Sequence, residues 1–105
     1  MPRVARPANA EAAEDPIKAF GSMLKAGIIG HLRAHPNGGR KEISDALDLP
    51  EQTVITGIDE LLRFGLLIAD PPREQATRGQ RVRYRVNDEA VTEMYLRLGL
   101  AIGEL

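Results

Sequence analysis

Residues 41–64, KEISDALDLPEQTVITGIDELLRF, hold two apolar series of helical period separated by a three-residue break. Ile43, Ala46 and Leu47 mark one face of a short helix from about Arg40 to Leu47. Val54, Ile58, Leu61 and Leu62 mark the inward face of a longer helix from Glu51 to Phe64. Asp48-Leu49-Pro50 leaves room only for a tight turn between them, and Gly65 stands where a left-handed cap would close the second helix. A connection this short restricts which faces of the two helices can pack together.

Beyond Gly65 the period changes. Leu66–Ala69 is a short apolar strand. Arg81–Val86 alternates strictly, so Val82, Tyr84 and Val86 take one face and Arg81, Arg83 and Arg85 the other. The segment 70–80 between them is too polar and proline-rich to be ordered by packing, which predicts a hairpin with a long tip. Upstream, Asp15-Pro16 supplies a cap and a first-turn proline for helical spacing through Ile17, Phe20, Leu24, Ile28 and Leu32, ended by His35-Pro36. Gly21-Ser22 offers a point at which this run divides, with Ser22 capping the second part, and Asn37-Gly38-Gly39 is a loop. Downstream, Asn87-Asp88 caps a last helix striped by Val91, Met94, Tyr95, Leu98, Ile102 and Leu105. The fold class is therefore mainly α with a small β-hairpin, an α+β arrangement in the order helix, helix, helix, hairpin, helix.

This order, and 41–64 followed by GLL, resemble the winged helix-turn-helix of ArsR-type and MarR-type bacterial transcriptional regulators, here with an extra C-terminal helix. Ile43, Ala46, Leu47, Leu49, Val54, Ile58 and Leu61 occupy the apolar slots of that motif. RGQRVRYRV at 78–86 looks like the wing strand, and FGSMLKAGIIGHL at 20–32 resembles the helix preceding the motif, so the likeness covers about residues 20–103. It implies a sequence-specific regulator of double-stranded DNA, with the second motif helix in the major groove and the wing on the backbone or minor groove. It also implies a homodimer joined through terminal helices. Metal-sensing members of the family use cysteine clusters, and this chain has no cysteine, so that property is not implied.

Composition bounds the remaining classes. A chain of 105 residues and 11.5 kDa suits one domain. Residues 1–14, MPRVARPANAEAAE, read as a mobile arm; 15–105 read as the domain, with 88–105 its dimerisation helix. No apolar run approaches the roughly 18 residues of a membrane span, and no apolar block opens the chain, which predicts a cytoplasmic protein without a membrane partner. His31 and His35 have the i, i+4 spacing of zinc ligands but no evident third ligand. The carboxylates of 41–62 lack a nucleophile, a glycine-rich phosphate loop or a histidine dyad, so neither an enzyme, a metal site nor a cofactor is expected.

Net charge is -1 but unevenly spread, with 41–62 strongly acidic and 71–87 strongly basic. The outward positions of the second motif helix read Glu51, Gln52, Thr53, Ile55, Thr56, Asp59 and Glu60. Carboxylates repel phosphate, but bases are read by hydrogen bonds and methyl contacts, which Gln52, Thr53 and Thr56 can make from the helix's early turns. Affinity is then expected from Arg78, Arg81 and Arg83 on the wing and from Arg40 and Lys41 at the N-terminus of the first motif helix, with Arg73 and Arg85 equally readable as solvated strand charges. The competing class is a protein-interaction adaptor whose acidic motif helix docks on a basic partner. Val91, Met94, Tyr95, Leu98 and Ile102 are the expected dimer interface. Gly99 and Gly103 either permit close helix approach there or weaken a fraying end.

Overall fold

The computed structural model describes residues 10–77 and 79–105. It contains α1 (Ala10–Phe20), α2 (Met23–Ala34), α3 (Arg40–Leu47), α4 (Glu51–Arg63), β1 (Leu67–Asp70), β2 (Arg83–Val86) and α5 (Asp88–Ala101). Helix α1 begins upstream of the Asp15-Pro16 pair because Ala10–Glu14 are strong helix formers and Lys18 pairs with Glu14 at 2.8 Å. Residues 10–14 of the segment read as an arm are thus helical, and 1–9 lie outside the described residues.

The run through residues 17–32 does divide at Gly21-Ser22, where the Ser22 hydroxyl accepts from the Lys25 amide at 3.3 Å. Because the helix restarts there, the apolar phase is not carried across. Ile17 is 56% exposed, and Pro16 and Ala19 turn inward in its place. The helix-turn-helix follows the predicted bounds closely. Asp48 takes the left-handed conformation at φ 55°, and the buried Ser44 hydroxyl donates to the Leu49 carbonyl, holding the turn from inside. At the end of α4, Gly65 (φ 74°) donates to the Leu62 carbonyl at 3.0 Å and Leu66 to that of Leu61 at 2.9 Å, which satisfies the last carbonyls of the helix.

The first strand keeps its expected length but begins one residue later, and the second begins at Arg83 where the alternation begins at Arg81. β1 and β2 pair antiparallel from Leu67 opposite Val86 to Asp70 opposite Arg83, and Gly38 adds a bridge by accepting from the Tyr84 amide at 2.9 Å. The alternation holds, since Tyr84 and Val86 are buried and Arg83 and Arg85 exposed. Ile28, Leu32, Ile43, Val54, Ile58, Leu61 and Leu66 form the centre of the core. Ala46, assigned by period to an apolar slot, is exposed, because the short α3 turns Ile43 and Ser44 toward α4 instead. Gly57 brings the α4 backbone against α2, where a Cβ would stand 2.7 Å from Ile28 Cδ1.

The terminal stripe divides in the folded chain. Helix α5 lies against α1, joined by Arg97 to Asp15 at 3.4 Å, and this contact buries Val91 and Met94 within the single chain. Those two members of the expected dimer interface therefore belong to the chain's own core, because α1 already covers that side of the helix. Tyr95 (64%), Leu100 (64%) and Ile102 (65%) remain exposed, with Leu98 half-buried. Within the chain Gly103 (φ 81°) lies just past the end of α5, and the returning chain lays Leu105 over Gly99. Among the described residues no helix is long and apolar enough to cross a membrane.

Candidate nucleic-acid interface

Helix α4 is oriented by Val54, Ile58 and Leu61, all fully buried, and this places Glu51, Gln52, Thr53 and Thr56 on the outside. The Thr56 hydroxyl donates to the Gln52 carbonyl at 3.0 Å, leaving its methyl group and lone pairs outward. Neither Gly39 before α3 nor Pro50 before α4 supplies a side-chain cap, so the leading amides of both helices are not occupied by a capping side chain.

Every carboxylate of α4 has a basic neighbour brought by tertiary structure. Glu51 lies 3.9 Å from Arg40, Asp59 pairs with Arg73, and Glu60 lies 2.6 Å from Lys25 Nζ. Lys25 also donates to the Lys18 carbonyl at 2.7 Å and sits 5.9 Å from the centre of the Phe64 ring. Sequence reasoning missed these pairings, because the partners come from α2, the α3 start and the wing loop and share no local spacing with α4.

The predicted phosphate-binding cations fall into two states. Lys41, Arg81 and Arg85 are exposed and make no ion pair among the described residues, whereas Arg40 and Arg83 are in loose pairs. Arg83 donates to the Asn37 carbonyl at 2.9 Å and lies 4.0 Å from Glu42. Exposed pairs of this length contribute about 0–1 kcal/mol, so exchanging a carboxylate for a phosphate costs little. Arg78 lies outside the described residues.

Arg73 differs. Its Nε donates to the Tyr84 hydroxyl at 3.0 Å, its Nη1 to the Asp59 carboxylate, and its guanidinium carbon is 5.4 Å from the Tyr84 ring centre. Partial burial works against its charge, but the hydrogen bonds and charge attraction from Asp59 and Tyr84 outweigh it and raise its pKa above the ordinary arginine value. The paired imidazoles of His31 and His35 have ring centres 5.0 Å apart, and no group of three potential metal ligands occurs among the described residues.

A solved MarR-family transcription regulator superposes with a TM-score of 0.59 at 16% identity, covering 90% of this chain and 63% of its own. The PcaV transcriptional regulator of Streptomyces coelicolor gives 0.59 at 21% identity, with 91% and 68% covered. The AntR antimony-specific transcriptional repressor gives 0.63 at 21% identity, with 98% and 86% covered. The fold is the winged helix of MarR-type regulators. In that winged helix, α3 and α4 are the helix-turn-helix, β1 and β2 the wing, and α1 and α5 the flanking helices. The chain spans less than two thirds of the length of the first of these structures. No protein-family model matches the sequence, and no curated protein matches it.

Proposed function

We propose that this chain is a sequence-specific, double-stranded-DNA-binding transcription regulator that acts as a cytoplasmic homodimer. The first turn of α4 enters the major groove and reads bases through Gln52, Thr53 and Thr56, while the wing, with Arg78, Arg81 and Arg83, grips backbone or the adjacent minor groove. Arg40 and Lys41 meet the backbone where α3 crosses it. The observation that carries this reading is the state of the acidic helix: Asp59 and Glu60 are each held by a basic side chain that the reading does not assign to phosphate, while Gln52 and Thr53 stand exposed on a turn locked from behind. The same pairing weakens the adaptor alternative, since a basic partner would find those carboxylates already engaged. The names of the three structural neighbours given above, each a transcription regulator or repressor, point the same way. Tyr95, Leu98 and Ile102 on one side of the end of α5, and the exposed Leu96 and Leu100 on a neighbouring side, supply the apolar surface for a second copy.

Two substitutions test the interface. After selection of a preferred duplex from random sequence, Gln52→Ala is expected to cost about 1–3 kcal/mol on that site and far less on random DNA, measured by titration. Equal weakening on both would remove Gln52 from base reading. Joint replacement of Arg81 and Arg83 by alanine is expected to weaken specific and random duplexes alike and to flatten the salt dependence by about 0.9 per lost phosphate contact. An unchanged slope would leave these arginines as a solvated strand face. Absence of binding by the parent protein to any duplex at low salt would return the adaptor reading.

A further inference from the structure

We propose that Arg73 is a positioning residue that ties the wing to the reading helix by bridging Asp59 of α4 and Tyr84 of β2, and does not itself bind phosphate. The proposal rests on the DNA-binding reading for its functional meaning, although the bridge is a property of the free chain. Tyr84 is a fixed point: its ring is buried in the core and its amide donates to Gly38 at 2.9 Å, so its hydroxyl reaches the surface at one place. Asp59 is fixed in turn by the helix that carries it, one residue beyond the buried Ile58. Arg73 opens the long wing loop and stands between them, donating Nε to one and Nη1 to the other.

A guanidinium presents its donors in a rigid planar fork, so holding two partners with two different nitrogens determines the orientation of the group and of the loop that bears it. The Arg40–Glu51 and Arg83–Glu42 pairs, at 3.9 and 4.0 Å, impose no such geometry and can yield to phosphate. For Arg73 to take a phosphate, it would have to give up Asp59 beside the DNA, restoring a free carboxylate on the helix that reads the groove. The arrangement therefore does two things together: it neutralises Asp59, and it sets the distance from the wing to the first turn of α4.

The test compares Arg73→Ala, Arg73→Lys and Tyr84→Phe in the full chain; the last keeps the ring in the core and removes only the acceptor. Amide hydrogen exchange of β1 and β2 in the free protein is expected to quicken about tenfold in all three, the effect of losing a charge-assisted bond, with α2 unchanged. Arg73→Lys fails to restore protection because an ammonium on a flexible stem does not reproduce the fork. On DNA, Arg73→Ala is expected to lower affinity for the preferred duplex about tenfold, in line with a misplaced reading element, while the salt slope on random duplex stays that of the parent. A slope reduced by about 0.9 overturns the proposal whatever the exchange shows, because it counts a lost phosphate contact. Unchanged hairpin exchange in Arg73→Ala also overturns it. If the parent binds no duplex, the DNA-binding reading has failed and exchange alone decides the bridge: faster exchange supports it and unchanged exchange refutes it.

Discussion

Ile58→Ala is expected to remove about 2–5 kcal/mol of folding stability, a large share of the roughly 5–15 kcal/mol that holds a domain of this kind. Ile58 is fully buried on α4, between Val54 and Leu61, and the close approach of Gly57 to Ile28 keeps the α2–α4 seam too tight to close readily over the void. Urea unfolding should show the midpoint fall with an unchanged slope. DNA binding should fall with it, because the same apolar face that holds α4 also aims Gln52 and Thr53. A loss below about 1 kcal/mol would show that this face does not anchor the helix.

Leu100→Glu is expected to convert a homodimer to a monomer without unfolding it. Leu100 is 64% exposed in the single chain, so the fold does not depend on it. Burying an unpaired carboxylate at a two-fold interface costs about 3–5 kcal/mol, which weakens association by at least a hundredfold. Sedimentation equilibrium at micromolar concentration should give the parent twice the chain mass and the variant 11.5 kDa. A parent at 11.5 kDa would remove the dimer from the proposed function. Leu98 is a poorer site for this test, since it is half-buried in its own chain and a charge there would disturb both α5 packing and association.

The difference between Leu98 and Leu100 shows where reading along the chain stops. Period and punctuation are local properties, so they locate elements well: Arg40–Leu47 has the bounds its sequence suggests, Ser22 and Asn87 cap the helices they precede, and Gly65 takes the left-handed position. The alternation of Arg83, Tyr84, Arg85 and Val86 sorts that strand into a wet and a dry face for the same reason, because successive side chains on a strand must point opposite ways. The base-reading candidates follow from this too, as the outward side of a helix whose inward side is apolar.

What lies on the other side of each face is not local. A stripe of Val91, Met94, Tyr95, Leu98 and Ile102 looks continuous on α5, yet α1 covers only Val91 and Met94 fully, because a helix partner of finite width buries one part of a broad apolar surface. Ile17, expected on the inward face, stands exposed and Ala19 is buried, because Gly21 and Ser22 reset the helical phase. The carboxylates of α4 form an acidic run along the chain, but in the folded protein Asp59 stands beside Arg73 and Glu60 beside Lys25.

The helix and strand periods, the caps, the turn between the motif helices and hence the winged-helix order are legible in the residues alone, all of them consequences of backbone geometry over a few residues. The neighbours of Glu51, Asp59 and Glu60, the bridge from Arg73 to Asp59 and Tyr84, and the division of the terminal stripe arise only when the chain packs. Those depend on which faces the packed core brings within hydrogen-bonding distance, and Asp59, Arg73 and Tyr84 meet only because three separate elements share that core.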